Sequence, residues 1–119
     1  MLLVEDHADT ARLLAKLLTR QGFRVRTAHT VAAALDLAAA EPFDIVVSDI
    51  GLPDASGYEL MAQLRDRYGA KGIALSGFGM EEDIRQSREA GFAEHLTKPV
   101  NLDQLHDAIK RVLAGAGKA

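Results

Sequence analysis

Short apolar runs alternate with longer stretches in which apolar residues recur every three or four positions along this chain of 119 residues. The short runs have strand length: Leu2–Val4, Arg24–Ala28, Ile45–Ser48, Gly72–Ser76 and Ala93–Thr97. The periodic stretches predict helices over Asp9–Gln21, Thr30–Ala40, Ser56–Tyr68, Glu81–Ala90 and Leu102–Leu113. Punctuation agrees: Gly22 and Gly69 follow helix ends, Thr30 and Asn101 stand at N-cap positions, and Gln104 completes a capping box with Asn101. In the last helix Leu102, Leu105, Ile109, Val112 and Leu113 make one core-facing stripe, and Ala114–Ala119 reads as a fraying tail or linker stub. The Ala-rich stretch Ala32–Ala40 reads as a closely packed helix, and Met61 and Met80 as packing residues.

Strands that alternate with helices argue for an α/β fold with a parallel sheet, because parallel neighbours need crossover connections. Right-handed crossovers leave few ways to assemble five such units. The simplest is a flavodoxin-like doubly wound five-stranded parallel sheet in the order 2-1-3-4-5, one domain over residues 1–119. In that order the first and third strands are neighbours at the topological switch point. The acidic pair Glu5-Asp6 ends the first and Asp49 ends the third, so three carboxylates meet in one crevice.

Such a cluster does not stabilise a fold. Two carboxylates about 4 Å apart repel by roughly 4 kcal/mol at an effective dielectric near 20. An oxygen-only donor set with few protein ligands suits magnesium, which keeps several waters and shares its shell with phosphates; manganese(II) is the natural substitute. Two more strand ends add to the crevice: Ser76 closes the fourth strand, and Lys98, followed by Pro99, closes the fifth. A hydroxyl and an ammonium both serve a phosphorylated carboxylate, and backbone N–H groups near Gly77 allow close approach. The turn Gly51-Leu52-Pro53-Asp54 offers a backbone carbonyl to the metal. Phosphoryl transfer to a carboxylate asks for positioning and charge neutralisation, which these groups supply.

Composition narrows the alternatives. With 14 basic against 17 acidic residues the net charge is −3, which offers no electrostatic footprint for nucleic acid or an anionic membrane. Arg12, Lys16 and Arg20 form only a small solvated stripe. Without cysteine there is no disulfide, thiolate site or thiol nucleophile. No signal peptide or membrane span is visible, and a cytoplasmic protein is expected.

Glu5-Asp6, Asp49 in SDIGLPDASGYEL, Ser76 in ALSGFG and Lys98-Pro99 in HLTKPVNLDQL together resemble the receiver domain of bacterial response regulators, most of all the receivers of hybrid histidine kinases. The resemblance implies a phosphorylation-dependent signalling switch. Asp49 would accept a phosphoryl group from a histidine kinase or histidine phosphotransfer protein, assisting its own phosphorylation and dephosphorylation without being a metabolic enzyme. Glu5, Asp6, Asp49 and the Gly51 carbonyl would hold Mg2+, Ser76, the Gly77 backbone and Lys98 would contact the phosphoryl group, and Lys98-Pro99 would be cis. An output protein or domain, in cis or trans, would read the state.

The chain departs from the family pattern in three places. His95 stands where the family often has a Tyr or Phe switch, which leaves it open between a switch and a surface histidine. Gly77 replaces an alanine, and the first strand starts almost at Met1, as expected of a fragment or trimmed chain. His7 reads as exposed, since magnesium disfavours nitrogen donors. The rivals are a phosphate sink or constitutive docking module, a Mg-dependent phosphohydrolase, which would want an acid where Gly51 stands, and a flavodoxin-like binder, which would want a phosphate cradle in the first loop. Singly, each motif has a plain reading as a turn, cap or strand exit; the case rests on their joint occurrence at four strand ends.

Overall fold

In the computed structural model, which describes residues 1–77 and 81–116 and the side chains of all of these except 81–83 and 116, strands and helices alternate along the chain. They are β1 (Leu2–Val4), α1 (Ala8–Arg20), β2 (Arg26–Ala28), α2 (Val31–Ala40), β3 (Ile45–Asp49), α3 (Gly57–Tyr68), β4 (Lys71–Ser76), α4 (Glu81–Ala90), β5 (Phe92–Thr97) and α5 (Leu102–Ala116). The sheet is parallel in the order β2-β1-β3-β4-β5, as the alternation predicts.

Strand period explains the two cores. Leu2, Val4, Val46 and Ala74 point to one face, where Ala34 of α2 and Leu60, Met61 and Leu64 of α3 cover them. Leu3, Ile45, Val47, Ile73 and Leu75 point to the other, against Leu14 and Leu18 of α1 and Leu105 and Ile109 of α5. Covered on both sides, β3 is buried at every position, which is why Ile45–Val47 reads as an unbroken apolar run. Gly72 is needed on the first face: a Cβ there would strike Met61 Sδ and lie 2.9 Å from Phe92 Cδ1. Met61 is thus a packing residue, while Met80 lies outside the described residues.

The helix ends follow the expected chemistry. Thr30 Oγ1 accepts from Ala33 N at 3.0 Å, Ser56 Oγ from Glu59 N at 3.2 Å and Asn101 Oδ1 from Gln104 N at 3.0 Å. Gly22 and Gly69 take left-handed φ of 98° and 66° after α1 and α3.

Two boundaries differ from expectation. β2 begins at Arg26 rather than Arg24, because its partner β1 offers only three residues to pair with and β2 has no second neighbour. α5 runs on through Gly115 to Ala116 instead of ending at Leu113, two of the three added residues being alanine, the best helix former. Residues 114–116 are thus helical, and 117–119 lie outside the described residues. Leu113 is 36% exposed and leaves the core stripe, being one residue and about 100° beyond buried Val112. No helix among the described residues is long and apolar enough to cross a membrane.

Candidate functional site

The register of the sheet builds the crevice. Val4 pairs with Ser48, so the next residues along, Glu5 and Asp49, leave adjacent strand ends together. Both are enclosed, Glu5 at 1% exposure and Asp49 at 7%. Ser76 and Thr97 pair at the ends of β4 and β5, and the Lys98 N–H donates to the Ser76 carbonyl at 2.7 Å. That bond fixes where the lysine side chain starts, and the peptide to Pro99 is cis.

Lys98 Nζ then lies 2.8 Å from Asp49 Oδ2 and 3.2 Å from Glu5 Oε1, so one ammonium bridges the carboxylates of two strands. Burial pulls the Lys98 pKa down, but the hydrogen bond and charge of Asp49, and then those of Glu5, outweigh it and hold the pKa above its usual value. Burial pushes the Glu5 carboxyl up, and neighbouring Asp49 and Asp6 add to the rise against the pull of Lys98. That rise persists despite Lys98, so the crevice is short of cations.

Asp6 completes the acidic pair. Its Oδ1 is the one fully shielded side-chain oxygen or nitrogen among the described residues without a hydrogen-bond partner. An orphaned carboxylate oxygen beside a second, buried carboxylate fits a divalent cation, whose oxygen ligands need no hydrogen bond. Donor atoms of Glu5, Asp6 and His7 already lie within 4.8 Å of one another. Lys98 bridges Asp49 and Glu5, whose carboxyls also interact directly.

The loop after β3 is tightly specified. Gly57 N donates to the Ile50 carbonyl at 2.8 Å, and Gly51 bridges Ser56 across the turn. A Cβ on Gly57 would strike the Asp49 carbonyl oxygen and lie 2.9 Å from Ile50 Cα, so only glycine lets the loop close against β3. Asp54 fastens the outer side of the loop, accepting from Val31 N at 2.9 Å and Ala32 N at 3.0 Å in the first turn of α2. Those two bonds hold the Asp54 carboxyl below its usual pKa. Gly51, the expected carbonyl donor, lies exposed in this anchored turn.

Ser76 is buried at the end of β4, Gly77 is exposed just beyond it, and a Cβ on Gly77 would meet nothing. His95 stands opposite Ala74 on β5, half-buried, with Nδ1 2.8 Å from Ser87 Oγ of α4. It is thus neither a free surface residue nor part of the acidic crevice.

The family model of the response regulator receiver domain matches residues 1–110. The chain belongs to this family. It is 38% identical over 98% of its length to the transcriptional regulatory protein KdpE of Mycobacterium tuberculosis, covering 53% of that protein. It is 33% identical over 98% of its length to the virulence sensor protein BvgS of Bordetella pertussis, covering 10% of it. A response regulator of Burkholderia pseudomallei, solved with a phosphorylated aspartic acid, a calcium ion and citrate, superposes with a TM-score of 0.86. Identity to it is 32%, over 97% of this chain and 68% of that one. The chain spans about half the length of KdpE and a smaller share of BvgS, so regulators and sensor proteins alike contain such a receiver.

As a response regulator receiver, the chain is a phosphorylation-dependent signalling module, and the phosphohydrolase and flavodoxin-like readings fall away. Residue-level reading of the sequence brought Glu5, Asp6, Asp49, Ser76 and Lys98 to one end of the sheet, where the structure has them. It missed three contacts. The His7 ring turns toward the acids, with Nδ1 3.3 Å from Asp6 Oδ1, although the side chain is 73% exposed; adjacency to the pair was the only signal. The Asp54 bonds to α2 and the Ser87 bond to His95 join residues distant in sequence, which no local spacing reveals.

Proposed function

We propose that Asp49 is the phosphoryl acceptor of this receiver, with Lys98 and Ser76 as its helpers. One observation carries the reading: the Lys98 ammonium sits 2.8 Å from Asp49 Oδ2 at the mouth of a crevice formed by strand ends. In transfer from a phosphohistidine donor, an Asp49 carboxylate oxygen attacks phosphorus in line, the P–N bond breaks, and the electron pair leaves with the imidazole, which takes up a proton. Lys98 offsets the charge that grows on the phosphoryl oxygens, and the Ser76 hydroxyl and the Gly77 N–H supply hydrogen bonds.

Glu5, Asp6, Asp49 and the Gly51 carbonyl are the groups to hold Mg2+, or Mn2+ in its place, and the orphaned Asp6 Oδ1 supports this donor set. When bound, the ion neutralises charge shared between the acids and the phosphoryl oxygens. The phosphorylated aspartate and calcium ion of the Burkholderia relative support the same assignment. The receiver assists its own phosphorylation and, with water as acceptor, its dephosphorylation; the turnover is regulatory.

The new dianion would draw Ser76 and Lys98 toward it and loosen Lys98 from Glu5, shifting the ends of β4 and β5. His95, tied to Ser87, would pass that shift to α4, and the surface of α4, β5 and α5 is the proposed output face. The donor is a histidine kinase or histidine phosphotransfer protein, and the reader an output protein or domain. We assign the whole of 1–119 to one bacterial, cytoplasmic receiver without a nucleic-acid or membrane surface of its own.

Intact-mass measurement after incubation with Mg2+ and acetyl phosphate tests the acceptor. Wild type should gain one phosphoryl group only with the metal, and Asp49→Asn should gain none. An adduct on Asp49→Asn, or none on folded, metal-binding wild type, sinks the assignment.

A further inference from the structure

His7 is the N-cap of α1, yet its side chain makes no capping hydrogen bond, unlike those of Thr30 and Ser56 on α2 and α3. The ring turns instead toward the acids, with Nδ1 3.3 Å from Asp6 Oδ1 and 3.6 Å from Glu5 Oε2. Despite that approach Asp6 Oδ1 receives no hydrogen bond. The donor atoms of the three residues lie within 4.8 Å of one another, and the 3.3 and 3.6 Å from His7 Nδ1 to the acid oxygens come near the roughly 3 Å between adjacent ligands held at about 2.1 Å on one octahedral ion. The His7 backbone N–H, 3.5 Å from Glu5 Oε2, turns that carboxylate to the same side.

We propose that His7 Nδ1 is an additional ligand of the cation in the acidic crevice, so that this receiver prefers Mn2+ to Mg2+. The inference rests on the acidic metal site proposed above and adds a nitrogen donor to it. Magnesium gains little from imidazole, whereas affinity for nitrogen ligands rises along the first-row divalent series that begins with manganese. His7 is 73% exposed and its ring can rotate onto an ion held by Asp6 without disturbing the core. The competing account is an imidazolium in a surface ion pair with Asp6, which would leave metal preference unchanged.

Pulsed electron paramagnetic resonance of bound Mn2+ separates the two, using the whole chain with 15N-labelled histidine. Wild type should show nitrogen coupling that changes with the label. His7→Ala should lose it. His29→Ala should keep it, although His29 Nδ1 lies 2.9 Å from the Glu5 carbonyl oxygen. Titrations of the same proteins should give His7→Ala a Mn2+ affinity at least about tenfold lower, as for loss of a metal's supporting groups, with Mg2+ affinity unchanged. Mn2+ binding without histidine coupling, in a protein whose Asp6→Asn variant loses both metals, would overturn the His7 ligand and leave the acidic site standing. Failure of wild type to bind either ion would overturn both.

Discussion

An ammonium 2.8 Å from one enclosed carboxylate and 3.2 Å from another makes Lys98 the internal counter-ion of the crevice. The sequence puts Lys98 at the crevice; in the folded chain its ammonium bridges the two acids and offsets part of their repulsion. Replacing Lys98 by Met should cost about 1–3 kcal/mol at neutral pH, less than for a fully enclosed pair because the lysine is 30% exposed and partly screened. The pH dependence follows from the direction of the shifts. The Lys98 pKa is raised above 10.5, so its contribution is complete below that value and fades as pH rises through the folded pKa. The Glu5 pKa is raised above 4.5, so native stability declines as pH rises from there through the folded value. Without Lys98 the Glu5 carboxyl rises further, and Lys98→Met should recover stability on acidification more than wild type does. Melting temperatures across pH for the two proteins check this, and parallel curves would mean that Lys98 does not set the charge balance.

Among the elements, the loop from β3 to α3 is the one whose glycines separate steric need from chemical role. A methyl group on Gly57 would collide with the Asp49 backbone, and the loop would have to move away from the strand end that presents Asp49. Gly57→Ala should therefore destabilise by about 1–3 kcal/mol, as overpacking does, and weaken phosphorylation. Gly51→Ala meets nothing within 4 Å and should leave the melting curve nearly unchanged. Urea titrations of both variants make the comparison, and equal losses would show that the loop is not pinned at Gly57. The sequence announces the turn through Gly51-Leu52-Pro53-Asp54, but neither the collision at Gly57 nor the bonds from Asp54 to Val31 and Ala32. Those depend on how α2 and the loop meet in three dimensions. The same reason explains the shorter β2 and longer α5: a strand ends where its neighbour ends, and Ala-rich residues past the core extend a helix that the apolar stripe no longer marks.

At the scale of the molecule, topology was legible because β1, β3 and β4 are covered on both faces and their apolar runs are uninterrupted. The meeting of polar strand-end residues was legible for a related reason: a doubly wound sheet gathers its strand ends, so polar residues closing separate runs share a crevice. Contacts made across the crevice, such as that of His7, depend on side-chain direction and were not. The whole fold also reports on the site thermodynamically, because an ion that binds only the native crevice stabilises every cooperative contact at once. At one hundred times its dissociation constant, Mg2+ should add about 2.7 kcal/mol, which for a chain of this size raises the melting temperature by roughly 10 °C. Asp6→Asn removes the orphaned Oδ1 as an anionic donor and should abolish most of that rise, while losing little stability without metal, since Asp6 Oδ1 has no hydrogen bond to lose. Scanning calorimetry of both proteins with and without Mg2+ decides the matter. A rise in wild type that Asp6→Asn retains in full would move the metal away from Asp6, and no rise at saturating Mg2+ would remove it from the crevice altogether.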